Sequence, residues 1–288
     1  MPSILDKLRH KVESQYFYKV QIRALDSATN KTRVKLRHWR PRIGANFGDE
    51  LSVAIVDQML ALRGLRLDFT VPASQRLLGV GSILQMACEG DVVWGSGVNG
   101  RNTGDEPAWR QIDVRAVRGP LTREYLVRKR PDLPVPAIYG DPGLLLFDLF
   151  PTLLTRRTRP AHPERIVIPN LNDLRLKTLN TDLPVVSPLE PWPLVCEHIV
   201  QAKEIITSSL HGLVLGQWLG KNVKLVRFSR TEPMFKYEDY ALGAKAGELR
   251  VFNDVASALT ADLTAAPVRA PEGLADAFPY DLWKEVAN

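Results

Sequence analysis

The chain is 288 residues long and carries 38 Lys and Arg against 32 Asp and Glu, a formal net charge of +6. Hydrophobic residues make up 45% and charged residues 24%, which excludes wholesale disorder, collagen-like repeats and a coiled coil. Its two cysteines, Cys88 and Cys196, are too few for a disulfide scaffold and read as buried thiols of a reducing compartment. The length suits two domains of about 100–150 residues, each with its own core. The amino-terminal stretch MPSILDKLRHKVES has no apolar signal segment. The longest apolar run, residues 144–150 with Asp148 inside it, is far short of the ~20 residues that cross a bilayer. A soluble cytoplasmic protein is expected. An isoelectric point near 9.3 implies an anionic partner, whether nucleic acid, an anionic membrane surface or a phosphorylated substrate.

Residues 1–45 are basic and irregular. Within them VKLRHWRPR (34–42) alternates well enough for a strand, or forms a solvated basic edge. NFGDELSVAIVDQMLALRG (46–64) reads as a loop and then a helix: Leu51, Ala54, Ile55, Met59 and Leu62 recur at helical spacing, and Gly64 fits the stop. LLGVGSIL (77–84) and DVVWGSGV (91–98) read as strands running into glycine turns, and IDVRAV (112–117) as a further strand. It leads into RGPLTREYLVRK (118–129), where Pro120 suits a first helical turn. AIYGDPGLLL (137–146) reads as strand, turn and apolar run. PTLLTRRTRPAHPER (151–165), with three prolines and four arginines, reads as an interdomain linker. RIVIPN (165–170) restarts the strands. PLVCEHIVQAKEI (193–205) supplies a helix, EIITSS (204–209) a strand end, and SLHGLVLGQWLG (209–220) a helix capped by Ser208 or Ser209 and stopped by Gly220. KNVKLVRF (221–228) is a strand, DVASALTADLTAA (254–266) a helix, and AFPYDLWKEVAN (277–288) a short helix packing back on the body. Strands alternating with helices imply a parallel, doubly wound α/β architecture.

Three junctions carry candidate chemistry. At SSLHG (208–212) a strand runs into a helix whose first-turn N–H groups and partial positive charge suit an anion. Ser208 and Ser209 add hydroxyls there. His211 would project from the first turn, either as a proton donor or as a packed core residue. At VRGP (117–120), Arg118 precedes a helix start, a place suited to bidentate anion recognition or to an ion pair. At NFGDE (46–50), Gly48 allows a tight turn and Asp49 is either an N-cap or a carboxylate that takes a proton from a hydroxyl. Glycines in GVGS (79–82) and GSG (95–97) let backbone approach a ligand. No dinucleotide fingerprint, P-loop or nucleophile elbow is present, and His and Cys are not at metal-ligand spacing. Glu238 and Asp239, near Lys236, read as a site or, in preference, as a solvated charged turn.

Taken together, NFGDEL (46–51), GVGSIL (79–84), WGSGV (94–98), VRGPLT (117–122), GDPGLLL (140–146), TSSLHGLVLGQWLG (207–220) and KYEDYALG (236–243) resemble the polysaccharide pyruvyl transferase family, in family order over roughly residues 44–245. IPNLND (168–173) stands where that family usually carries an aromatic residue or histidine after the proline. The resemblance implies an α/β fold of two Rossmann-like domains, like a glycosyltransferase of the B type, with the site in the interdomain cleft. The matching domain division is residues 1–155, residues 165–275, and a carboxyl-terminal helix at 276–288. It also implies transfer of a pyruvyl group from phosphoenolpyruvate to a sugar of a lipid-linked polysaccharide precursor. The product is a cyclic ketal, commonly at O4 and O6, with phosphate released. On that reading His211 is the acid and Asp49 the base. Arg118, Ser208, Ser209, Lys236, Gly95 and Ser96 bind the donor, and Asn46 and Glu50 the acceptor. No metal and no cofactor beyond the donor substrate is required. The expected partners are phosphoenolpyruvate, a saccharide acceptor and, through the basic segments 34–42 and 156–165, the inner face of an anionic membrane. Oligomeric state stays open. Nucleic acid is not expected, because the arginines are scattered rather than set in one aromatic-interleaved stripe. The alternatives are a glycosyltransferase of the same fold using a nucleotide sugar, and a non-enzymatic basic module for polyanions or membranes.

Overall fold

The computed structural model describes residues 34–39, 45–65, 67, 75–101, 103–157, 162–176, 179–263 and 266–283. It contains two all-parallel four-stranded sheets, one in each half of the chain. The first takes the order β1 (Val34–Arg37), β2 (Gln75–Leu78), β3 (Val92–Trp94), β4 (Asp113–Ala116). The second takes the order β5 (Arg165–Ile168), β6 (Glu204–Thr207), β7 (Asn222–Val226), β8 (Val251–Phe252). The central strands β3 and β6 are buried at every residue, as in parallel sheets covered on both faces.

The helices are α1 (Phe47–Ala61), α2 (Pro120–Lys129), α3 (Leu146–Leu149), α4 (Leu171–Leu176), α5 (Trp192–Gln201), α6 (Leu210–Trp218), α7 (Phe235–Ala244) and α8 (Val255–Leu259). Local signals set many of their ends. Pro120 opens α2, where its missing N–H costs nothing. Ser209 caps α6, its Oγ accepting the Gly212 N–H at 3.3 Å. Gly64, at φ 69°, follows α1 with the left-handed backbone that suits a helix stop.

The second sheet has a reversal of winding that locates the site. Val167 of β5 forms a parallel bridge with Val185, fixed by Val167 N–H to Pro184 O at 2.9 Å and Val186 N–H to Val167 O at 2.8 Å. Neighbouring Ile166 and Ile168 pair with β6 on the other edge. The chain therefore leaves β5 first to one side and then to the other. The gap above the carboxyl ends of β5 and β6 is a topological switch point, where open α/β sheets leave a crevice. The described strands of the first sheet show no such reversal.

Several expectations are corrected. The core is not divided cleanly between the two halves. The largest apolar cluster runs through both, including Leu51, Ile55 and Trp94 of the first half and Ile166, Val195 and Leu213 of the second. Smaller clusters lie within the first half around Leu78 and Val93, and within the second around Ile206 and Val226. Helix α1 is the reason: it is buried on most of its surface and contacts α5, α6 and the Pro142–Leu149 segment together. The strand expected at 137–140 is a single bridge, Val117 to Tyr139. The helix expected over 254–266 stops at Leu259, and residues 264 and 265 lie outside the described residues.

The carboxyl-terminal segment returns to the first half before residue 276. Trp94 Nε1 donates to Leu274 O at 2.8 Å, Phe278 packs edge-on against Trp94, and Tyr280 Oη donates to Met59 O at 2.9 Å. Its expected helix is a 3₁₀ turn at Tyr280–Trp283; residues 284–288 lie outside the described part, as do 1–33 and 40–44 of the basic amino-terminal stretch and 158–161 of the arginine-rich segment. That segment begins with a 3₁₀ turn at Pro151–Leu154 that buries Leu153, so its start is packed structure rather than loose linker. Cys88 is exposed and only Cys196, in α5, is buried. Glu238 and Asp239 belong to α7, and Asp239 is fully buried. Among the described residues no helix is long and apolar enough to cross a membrane.

Candidate functional site

The VRGP junction does hold an anion, and that anion belongs to the chain itself. Arg118 is fully buried. Its Nε and Nη2 both reach Asp239 Oδ2 at 3.0 Å, Nη1 donates to Ser82 Oγ at 2.5 Å, and Nη2 donates to Val98 O at 2.6 Å. The same Asp239 carboxylate accepts the Thr122 N–H at 2.9 Å and the Thr122 hydroxyl at 2.6 Å. Asp239 thus occupies the first turn of α2, the place where an external phosphate or carboxylate would bind. Glycines let the two helices meet this closely: a Cβ on Gly119 would overlap the Asp239 carbonyl, and one on Gly243 would overlap the Arg118 carbonyl. The junction is a buried clamp between the halves.

The SSLHG and NFGDE junctions come together. His211 stands in the first turn of α6 at the switch point and is 7% exposed. Its ring packs edge-on against Phe47 and lies so close to α1 that a Cβ on Gly48 would overlap Nδ1. Gly48 is therefore needed for the approach of an imidazole, not for the tight turn expected of it. On the far side of the ring, Nε2 faces Asp141 Oδ1 at 3.7 Å. Asp141 is fully buried and caps a 3₁₀ turn, its Oδ1 accepting the Gly143 N–H at 2.8 Å. Asp141 Oδ2 and His211 Nε2 are buried with no hydrogen-bond partner.

The two carboxylates flanking His211 are driven in opposite directions. Burial pushes the Asp49 carboxyl above its usual range, outweighing the hydrogen bond from Asn46 and the attraction of His211 and Lys236. Asn46 Nδ2 donates to Asp49 Oδ2 at 2.5 Å. For Asp141, burial is overcome by His211, the Gly143 N–H and the charge of Arg118, which hold it below the usual range. Pairs whose environments pull their acidities apart are suited to divided acid and base roles.

Lys236, at the start of α7, pairs with Glu232 and lies 4.9 Å from the Tyr237 ring centre. Burial disfavours its charge, but Tyr237 and Glu232 outweigh it and keep the ammonium. Glu232 also accepts from Arg101 Nη2 at 2.6 Å, across the two halves. Of these groups Lys236 is the cation that acts on Asp49; it also acts on the buried Asp173.

The remaining expected residues serve the frame. Ser208 Oγ accepts the Asn170 N–H at 2.9 Å, and its carbonyl accepts from Tyr237 Oη at 2.6 Å; Ser209 is the α6 cap. Gly95, at φ 78°, packs under Pro142. Ser96 is fully buried and donates to Gly81 O at 3.0 Å. Glu50 lies one residue beyond Asp49 in the first turn of α1. The structure thus gathers Asn46, Asp49, His211 and Lys236, and sets Arg118, Ser208, Ser209, Gly95 and Ser96 in supporting positions. Asp141, Arg101, Glu232 and Asp239 were missed in the sequence. Asp141 carried a usable signal, an aspartate directly before Pro-Gly, which is a cap pattern. Arg101 and Asp239 acquire their partners across more than 100 residues of chain and carried no local signal; Glu232 pairs with Lys236 four residues on, a spacing visible in the sequence. Among the described residues no group of three or more His, Cys, Asp or Glu is set to hold a metal ion.

No family model matches the chain. It is 28% identical over 219 residues to the succinoglycan biosynthesis protein ExoV of Rhizobium meliloti (strain 1021), an overlap covering 72% of this chain and 64% of that protein. Two solved structures share a broad similarity. One, a protein of Klebsiella pneumoniae described as functionally uncharacterized, superposes with a TM-score of 0.43 at 10% identity, over 83% of this chain and 98% of that one. The other, the wall teichoic acid polymerase TagF, gives 0.42 at 12% identity, over 100% of this chain and 95% of that one. What the chain shares with proteins of known role is therefore a segment of 219 residues, similar to a protein of succinoglycan biosynthesis.

Proposed function

We propose that this chain is a transferase of polysaccharide biosynthesis that moves a pyruvyl group from phosphoenolpyruvate to a sugar, forming a cyclic ketal and releasing phosphate. The observation that carries the proposal is His211 at the meeting of the two halves, its Nε2 facing Asp141 and its Nδ1 against Gly48, the neighbour of Asp49. Similarity to a succinoglycan biosynthesis protein supports the wider class, and the motifs around 46–51, 117–122 and 207–220 support the pyruvyl reaction. The two parallel sheets fit the glycosyltransferase B-like pair of Rossmann domains that such an enzyme would have.

The enol phosphate of phosphoenolpyruvate becomes electrophilic when its methylene carbon takes a proton. His211 supplies it, a step of general acid catalysis that contributes about 10²–10⁴-fold. The first sugar hydroxyl then adds to the oxocarbenium-like carbon. Asp49 takes its proton, its acidity having been moved by burial toward that of a useful base. Departure of phosphate and attack of the second hydroxyl close the ketal; one hydroxyl proton restores His211 and the other leaves with phosphate. The donor's charge falls to Lys236 and Arg101, since Asp239 already occupies Arg118. Arg118 acts at longer range, by joining the halves and helping to keep Asp141 ionised. Asn46 orients Asp49, and Asn46 with Glu50 lies where an acceptor would approach.

The test is incubation with phosphoenolpyruvate and candidate acceptor glycans, read by mass spectrometry and phosphate release. The expected result is a glycan heavier by one ketal-linked pyruvyl group and one phosphate per transfer. Thermal stabilisation by a nucleotide sugar, with transfer of its sugar and none from phosphoenolpyruvate, would instead establish a glycosyltransferase.

A further inference from the structure

The orientation of the imidazole follows from its surroundings. Asp141 is rooted in the backbone: its Oδ1 holds the Gly143 N–H and its side chain has no solvent contact. An oxygen of this carboxylate left without a donor is costly in a buried setting. The ring nitrogen facing it is His211 Nε2, 3.7 Å from Oδ1 and likewise without a partner. A lone pair on Nε2 would point at a carboxylate, whereas an N–H there meets an acceptor, the Asp141 carboxylate. The other ring nitrogen, Nδ1, lies against Gly48, in the first turn of α1 that also carries Asp49.

We propose that Asp141 is a positioning residue that fixes the neutral His211 ring with its hydrogen on Nε2 and leaves Nδ1 as the nitrogen that works toward the substrate. The chemical use of Nδ1 rests on the pyruvyl-transfer reading; the tautomer does not. Two carboxylates act on the ring, Asp141 from the turn before α3 and Asp49 from α1, and Lys236 of α7 acts on Asp49. Asp141 stands 3.7 Å from Nε2 through Oδ1, so it decides the tautomer. The proton delivered to the donor is then the one that Nδ1 gains on forming the imidazolium, while the Nε2 hydrogen stays in place through the cycle. This is the division of labour by which a buried carboxylate sets which histidine nitrogen reacts.

The experiment uses the full chain labelled with ¹⁵N-histidine and long-range proton–nitrogen correlation at a pH where the ring is neutral. His211 is assigned by the signal lost in His211→Gln. The Nε2–H form is expected in the wild type, and a mixture of both tautomers in Asp141→Asn. If phosphoenolpyruvate is a substrate, kcat falls in Asp141→Asn with little change in KM. A wild-type ring protonated on Nδ1, or an unchanged tautomer in a folded Asp141→Asn protein, overturns the proposal. Should that variant not fold, the wild-type tautomer alone decides. An Nε2–H ring in a protein inert toward phosphoenolpyruvate would sink the pyruvyl reading and leave the positioning role of Asp141 standing.

Discussion

The guanidinium of Arg118 and the carboxylate of Asp239, 121 residues apart, close on each other with no solvent between them. They join the start of α2 to the middle of α7, and through Ser82 and Val98 they hold the loops that follow β2 and β3. Removing one partner of a buried ion pair strands the other charge and typically costs about 3–5 kcal/mol. Arg118→Ala is expected to lose stability of that order in urea unfolding. An Arg118→Ala protein as stable as the wild type, but with weakened phosphoenolpyruvate binding, would return Arg118 to the role of a donor ligand.

Gly48→Ala gives a second test, with a sign opposite to the usual one. Inside a helix this exchange normally stabilises by about 0.5–1 kcal/mol. Here the new methyl overlaps the His211 ring, so the melting temperature is expected to drop and turnover to collapse. Adding His211→Ala to Gly48→Ala should recover stability, because neighbours that share one space are not additive. Additive losses in the double variant would mean that the ring and α1 do not press on each other.

Asp49 gives a pH dependence. Its acidity is raised in the folded state, so folded protein holds that proton more tightly than unfolded chain. The contribution is favourable below the ordinary carboxylate range near 3.8 and is lost as pH rises through the higher folded value. Asp49→Asn should therefore be more stable than wild type at neutral pH, with the difference vanishing under acid conditions, and should turn over slowly. Such a gain in stability with a loss of activity is the signature of a working residue held in a disfavoured environment. Equal melting temperatures of the two proteins at pH 7 would contradict it.

His211 and Lys236 are separable by steady-state kinetics with phosphoenolpyruvate. His211→Ala is expected to lower kcat about 10²–10⁴-fold while circular dichroism stays native. Lys236→Ala is expected chiefly to raise KM for the donor. A Lys236→Ala enzyme with unchanged KM would move the anion site elsewhere.

The two thiols should differ sharply. Cys88 is exposed, whereas burial pushes the Cys196 thiol far up. A disulfide reagent at mild alkaline pH is expected to modify Cys88 in the native protein and Cys196 only after unfolding, because the thiolate is the reacting form. Two equally fast modifications in the native state would place Cys196 at the surface.

Local chemistry written into short stretches was legible before any coordinates. Pro120 and Ser209 mark helix starts by what they do to unpaired N–H groups, Gly64 follows the end of α1, and the apolar runs at 92–94 and 204–207 are buried strands. The candidate junctions at 46–50 and 208–212 were also visible, because a loop or strand running into a helix start is a local pattern. What escaped were the residues defined by distant partners. Asp239 looked like part of a charged turn, since nothing near it in the chain reveals that Arg118 and Thr122 will surround its carboxylate.

The sequence by itself determined a parallel α/β protein in two halves, with histidine and aspartate at helix starts, because hydrophobic period, caps and breakers act over a few residues. Only the tertiary structure decided which charges are available. Burial and long-range pairing turned Arg118 inward onto Asp239, set Asp141 behind His211, and pushed Asp49 and Asp141 in opposite directions. A charge has no fixed chemistry until its solvent is taken away and its partner chosen, and both are properties of the packed chain.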